Sequence, residues 1–174
     1  MVSNLYPAYP DFYFQHHVII CFTFAKNKLT KALNNSITIE RFPASNNASL
    51  KAWNAADELL IDFSRNLNVN NICVYHDTFG YLSCQLMDHQ LTTVINYHSQ
   101  QKAISFNLNQ NKIPASQVKF RYPLDQVEEK SELILMKVPK SVDLFELYLN
   151  QIIQNADEET LILCGFMTRH FSVQ

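Results

Sequence analysis

Three short apolar runs constrain the fold of this chain more than any other feature. They are Asn71-Ile72-Cys73-Val74-Tyr75, the stretch from Glu132 to Val138, and the stretch from Thr160 to Cys164. Each is too short for a buried helix, and none shows the strict alternation of a strand with one wet face. Such runs belong to strands covered on both sides, as in a parallel sheet. Helical patterns separate them. A turn at His76–Gly80 leads into a helix from Tyr81 to His89, a polar helix runs from Ser99 to Asn109, and Ser141 caps a helix with Leu144, Phe145, Tyr148, Leu149 and Ile152 turned inward.

Weaker strand signals fill the gaps. Ile37, Ile39 and Phe42 alternate with Thr38 and Arg41 and stop at Pro43; Thr92–Asn96 and Gln117–Arg121 are further short strands. Ser49 is placed to cap a long helix carrying Leu50, Trp53, Leu60, Phe63 and Leu67 on one face. The expectation is an α/β, Rossmann-like, mostly parallel sheet with helices on both faces.

With 174 residues, 47% of them hydrophobic and 17% charged, the chain suits one packed domain. A net charge of −2 argues against a protein that coats nucleic acid through bulk charge, but leaves room for a local basic patch. Cys21, Cys73, Cys84 and Cys164 are expected as free thiols, because a core of this size needs no disulfide staples. Neither CxxC nor HxxxH spacing supports a metal site among Cys73, His76, Cys84 and His89. No apolar run reaches the roughly 18 residues of a membrane span. Residues 1–35 are expected as an extension that packs as an extra strand or stays loose, with the domain proper at 36–174.

In an open α/β sheet, ligands bind beyond the carboxyl ends of the strands, where glycines let backbone approach the ligand. The turn there reads His76-Asp77-Thr78-Phe79-Gly80, and Gly80 and Gly165 are the only glycines in the chain. The next strand ends in Asn96, where a carboxylate would be needed to receive ribose hydroxyls. The turn and the strand end together predict a sheet without a nucleotide-type cofactor.

The segments Ile39-Glu40-Arg41-Phe42-Pro43, Trp53 to Leu60, Asp77-Thr78-Phe79-Gly80 and Leu135 to Lys140 resemble one family. It is the N-terminal half of the bacterial ribosomal RNA guanine-N2 methyltransferases, nearest to their large-subunit methyltransferase G group. The resemblance runs from about Ser36 to the C-terminus. It implies a degenerate, methyltransferase-like domain, truncated at its C-terminal end, in a cytoplasmic protein. It also implies that S-adenosylmethionine is held only by a downstream catalytic domain, through a glycine-rich loop and an Asn-Pro-Pro motif that this chain lacks. The partners implied are ribosomal RNA and that catalytic domain.

Lys137 and Lys140 flank the end of a strand, and Lys119 and Arg121 share one face of another. They are candidates for contacts to RNA phosphates, or ordinary solvated side chains. Trp53 belongs to the core face of its helix on spacing, and Asp57 either bonds nearby backbone or pairs with Arg41. Two further functions stay open: an active methyltransferase with an atypical pocket, and a structural fragment that dimerises through an exposed sheet edge.

Overall fold

The computed structural model of the chain describes residues 11–14, 17–23, 37–47, 49–127 and 129–167, the first two stretches as backbone only. Seven strands and four helices follow the chain as β1 (Asp11–Phe14), β2 (His17–Thr23), α1 (Ala55–Ser64), β3 (Asn71–Tyr75), α2 (Tyr81–Gln85), β4 (Gln90–Val94), α3 (His98–Gln110), β5 (Val118–Arg121), β6 (Leu133–Lys137), α4 (Val142–Asn155) and β7 (Leu161–Phe166). They form one sheet in the order β1-β2-β7-β6-β3-β4-β5. All neighbours run parallel except the β1–β2 hairpin. The order reverses between β6 and β3, which makes their carboxyl ends the switch point of the sheet.

Two cores sandwich the sheet. On one face Leu59, Leu60 and Leu82, with Ile104 and Leu108, pack on Ile72, Val74, Leu133 and Leu135. These side chains come from α1, α2 and α3. On the other face α4 lays Tyr148 and Ile152 against Cys73, Tyr75, Ile134, Met136 and Ile162. Burial on both sides accounts for the unbroken apolar runs of β3, β6 and β7. Cys73, Cys84 and Cys164 are buried, and Cys73 and Cys84 are free thiols as expected; the side chain of Cys21 lies outside the described residues.

Two expectations fail, each for a local reason. Residues 37–41 form no strand. Instead the side-chain amides of Asn107 on α3 and Asn111 at its C-cap serve as their ladder. Asn107 accepts from Glu40 N (2.8 Å) and donates to Glu40 O (2.8 Å). Asn111 does the same for Thr38 at 2.9 and 2.7 Å. The first helix starts at Ala55, not after Ser49, because Asn54 caps it: Asn54 Oδ1 accepts from Ala56 N (2.9 Å), while Asp57 Oδ2 accepts from Asn54 N (2.8 Å). Trp53 therefore lies ahead of the helix. Its ring stacks on Tyr81 at 5.3 Å and its Nε1 donates to Glu58 at 3.0 Å.

The sheet edge beside β7 is covered within the chain itself. β2 pairs along it, from Ile19 opposite Ile162 to Thr23 opposite Phe166, so no open edge remains there for dimerisation. β1 and β2 both fall within residues 1–35. Residues 1–10 and 24–36 lie outside the described residues. Among the described residues no helix is long and apolar enough to cross a membrane.

Candidate functional site

The switch point brings together the turn after β3, the end of β4 and the end of β6, which are the elements sequence reasoning assigned to a ligand. Their polar groups face one another. Gln100, at the start of α3, spans the crevice between β3 and β4: its Nε2 donates to Asp77 O (3.0 Å), and its Oε1 accepts from Asn96 N (3.0 Å). The two backbone groups best placed to meet a ligand between these strands are thus already bonded. Gln100 was not singled out from sequence, since one glutamine in a polar helix carries no signal.

Asp77 turns its carboxylate back into its own loop. Oδ1 accepts from Gly80 N (3.0 Å), and Oδ2 accepts from both the amide and the hydroxyl of Ser83 (2.8 Å each). Ser83 Oγ lies 3.0 Å from Thr93 Oγ1, which ties the loop to β4. A group from the chain itself thereby fills the anionic position at the start of α2. Burial raises the Asp77 pKa, opposed by the nearby Lys137 charge and by the Ser83 hydrogen bonds.

Gly80 is needed here. Its φ is +88°, and a Cβ would stand 3.2 Å from Ile104 Cα. The close approach is to α3. His76 also adopts a left-handed φ of 65°, without being glycine. Thr78 is partly buried in the turn, and the Phe79 ring is covered by the Arg41 guanidinium at 4.8 Å.

Tyr148 of α4 closes the remaining side. It is fully buried, meets Tyr75 edge-on with ring centroids 5.1 Å apart, and receives a hydrogen bond from Asn96 Nδ2. The His76 ring stands 6.2 Å away. Burial, with a smaller contribution from Lys137, lowers the His76 pKa from 6.5 to about 4. The neutral form is favoured in the fold, so the contribution is complete above pH 6.5 and is lost as pH falls toward 4. At most this is roughly 3 kcal/mol for a fully shielded group, and partial exposure of His76 reduces it. The buried Asp77 carboxyl opposes this trend, because a raised folded pKa gains stability on acidification. In urea titrations between pH 7 and 4.5, His76→Gln is expected to lose less stability on acidification than the parent chain.

The four candidate cations separate. Lys137 is 8% exposed, and its ammonium lies 2.8 Å from Asp57 Oδ1 under α1. The alternation of β6 explains this: Leu133, Leu135 and Lys137 share the face that α1 covers. Lys137 is therefore not the surface phosphate contact expected from its place in the sequence. Arg121 is 7% exposed and donates to the Tyr75 hydroxyl at 3.1 Å, so it too is internal. Lys119 and Lys140 are exposed. Asp57 pairs with Lys137 and not with Arg41, whose Nη1 reaches Lys51 O at 3.3 Å. Among the described residues no three His, Cys, Asp or Glu side chains are grouped to hold a metal.

Comparison with known proteins agrees with this architecture. The family model described as the RLMG N-terminal domain matches residues 27–174. Ribosomal RNA large subunit methyltransferase G of Pseudoalteromonas translucida is 31% identical over 141 residues, covering 78% of this chain and 37% of that protein. The protein of the same name from Psychromonas ingrahamii is 30% identical over 146 residues, covering 80% of this chain and 38% of its own length. The chain thus spans well under half of these relatives. Among solved structures, the SAH-bound methyltransferase PaMTH1 of Podospora anserina superposes with a TM-score of 0.56 at 15% identity, over 68% of this chain and 56% of that one. The O-methyltransferase from Bacillus cereus in complex with SAH gives 0.52 at 15% identity, over 66% and 59%. At such identities these two establish the Rossmann-like methyltransferase fold alone.

Proposed function

Because the chain belongs to the RLMG N-terminal domain family, we propose that it serves an rRNA large subunit methyltransferase as a non-catalytic domain that recognises ribosomal RNA and supports the catalytic part. The observation that carries the non-catalytic reading is the Gln100 bridge between Asp77 O and Asn96 N. A nucleoside-bearing cofactor at this switch point needs open backbone donors and a carboxylate for its ribose. Here the Asn96, Gly80 and Ser83 amides are bonded within the chain, Asn96 replaces the carboxylate, and Tyr148 fills the adjoining space. These residues do not fit S-adenosylmethionine, and no chemical step is assigned to them.

Support for the RNA role lies on the surface around the same strand ends. Lys140 is exposed just beyond β6, and Tyr97, 67% exposed at the start of α3, offers a ring on which an unpaired base can stack. Lys119 is a second exposed cation. With a net charge of −2 overall, binding by the isolated chain is expected to be weak and strongly salt-dependent. A cytoplasmic site of action follows from the same reading.

The test is fluorescence anisotropy with structured fragments of large-subunit rRNA. Lys140→Glu is expected to weaken binding severalfold and to lower the slope of log K against log salt by about 1. Tyr97→Ala is expected to weaken binding to single-stranded loops while leaving that slope unchanged. Binding by both variants equal to that of the parent would sink the assignment of this surface.

A further inference from the structure

The second face of the sheet is only half covered by a helix. α4 packs over β6, β7 and part of β3. The connection from Arg121 to Leu133 crosses the rest with no helix among its described residues. Beneath it is a cavity of about 300 Å³ lined by Arg121, Tyr75, Asn155, Lys119, Asp125 and Glu129 among others. It lies on the sheet face away from α1–α3 and includes neither Gln100 nor Lys137.

Arg121 is the unusual wall. Its Nη2 donates to the Tyr75 hydroxyl, but Nε and Nη1 are buried and have no partner. Neither ion pair found among the described residues involves it. A guanidinium cannot shed its charge, and a buried charge without a counterion is costly. Burial of Cys73 holds its thiol up at about 11 even with this cation beside it, so the thiol cannot serve as the anion. The Tyr75 phenol is likewise pushed above its usual range by burial. The Asp125 and Glu129 carboxylates on the crossing loop disfavour a polyanion. The volume matches the lower end of small-molecule sites, roughly 300–1,000 Å³.

We propose that this cavity binds a small molecule through a single carboxylate or phosphate group seated on Arg121. Tyr75 and Asn155 offer neutral hydrogen-bonding partners beside it. Lys119 borders both this cavity and the RNA-facing surface, but Arg121, Tyr75 and Asn155 belong to the cavity alone and Lys140 and Tyr97 to that surface alone, so variants at these residues let either proposal fail without the other.

The 174-residue chain, labelled with ¹⁵N, is titrated with inorganic phosphate and separately with acetate, at constant ionic strength maintained with chloride. Saturable shifts at the amides of β3 and β5 are expected with at least one anion. Response to phosphate alone assigns a phosphate group, response to acetate alone a carboxylate, and response to both a general oxyanion site. Arg121→Met is expected to weaken binding at least about tenfold, the value of one charge-assisted bond. It is also expected to raise the melting temperature in chloride alone, because it removes an unpaired buried charge. Arg121→Lys, which keeps the charge and loses the planar fork, is expected to bind several times more weakly than the parent. Absence of saturable shifts with both anions, or equal binding by the parent and Arg121→Lys or Arg121→Met, would overturn the proposal.

Discussion

Replacing Asp57 with alanine is expected to cost about 3–5 kcal/mol in urea unfolding, the largest loss from any single carboxylate in the chain. Two effects combine. The substitution strands the Lys137 ammonium, 2.8 Å from the lost oxygen and 8% exposed. It also removes the acceptor for Asn54 N and so half of the α1 capping box, worth about 1 kcal/mol. Lys137→Met is expected to cost less, because the remaining carboxyl keeps its bond from Asn54 N and the α1 capping box stays whole. The paired change of Asp57→Asn with Lys137→Met is expected to recover most of the loss, since replacing both partners of a buried pair is often close to neutral. Losses that simply add those of Asp57→Asn alone and Lys137→Met alone would show that the pair is not coupled. Lys137→Glu is consequently unsuitable as a probe of RNA binding: it would place a third carboxylate beside Asp57 and Asp77 and unfold the domain.

Asn107→Leu is expected to cost about 2–4 kcal/mol. Asn107 is fully buried, and its side-chain amide satisfies Glu40 N, Glu40 O and Phe79 O at 2.8 Å each. A leucine fills similar space but leaves those backbone groups bare, and each costs about 1 kcal/mol or more when shielded from water. Asn111→Leu makes the comparison, because Thr38 can turn to solvent; its expected cost is below about 1 kcal/mol. The segment from 37 to 42 should gain protease sensitivity in Asn107→Leu. An unchanged digestion pattern and unchanged stability would mean that the segment is held by its apolar contacts alone.

The sheet was legible because its code is periodic. Unbroken apolar runs announced β3, β6 and β7, and the helical spacing of Leu144, Tyr148, Leu149 and Ile152 announced α4. Ser141 then proved to be its cap, accepting from Leu144 N at 3.3 Å. What sequence reading missed depended on tertiary partners. Residues 37–42 alternate as a strand does, but the partner that completes their hydrogen bonds is a helix. A pair of asparagines at a spacing of four, one inside the helix where asparagine is a poor former and one at its C-cap, was the available hint. The start of α1 was misplaced because Ser49 and Asn54 are both good caps, and only the reciprocal bond from Asp57 selects the second.

The sequence located the strand ends of the site but not the side chains that meet there. The scarcity of glycine between His76 and Gly80, and Asn96 in place of a carboxylate, pointed to a switch point without its usual ligand chemistry. Neither feature indicated what stands there. Gln100, Tyr148 and the inward turn of Asp77 come from three separate elements, brought together only by the sheet order. Lys137 could have been assigned inward from the period of β6, since it continues the face of Leu133 and Leu135. Arg121 could not, because nothing local tells which sheet face lacks a helix.

The central claim is that this methyltransferase scaffold has its ligand crevice closed by its own side chains. Calorimetric titration of the chain with S-adenosylmethionine tests it most directly. The closed crevice predicts no saturable heat up to about 1 mM ligand, whereas a dissociation constant in the low micromolar range, near −8 kcal/mol, would contradict it.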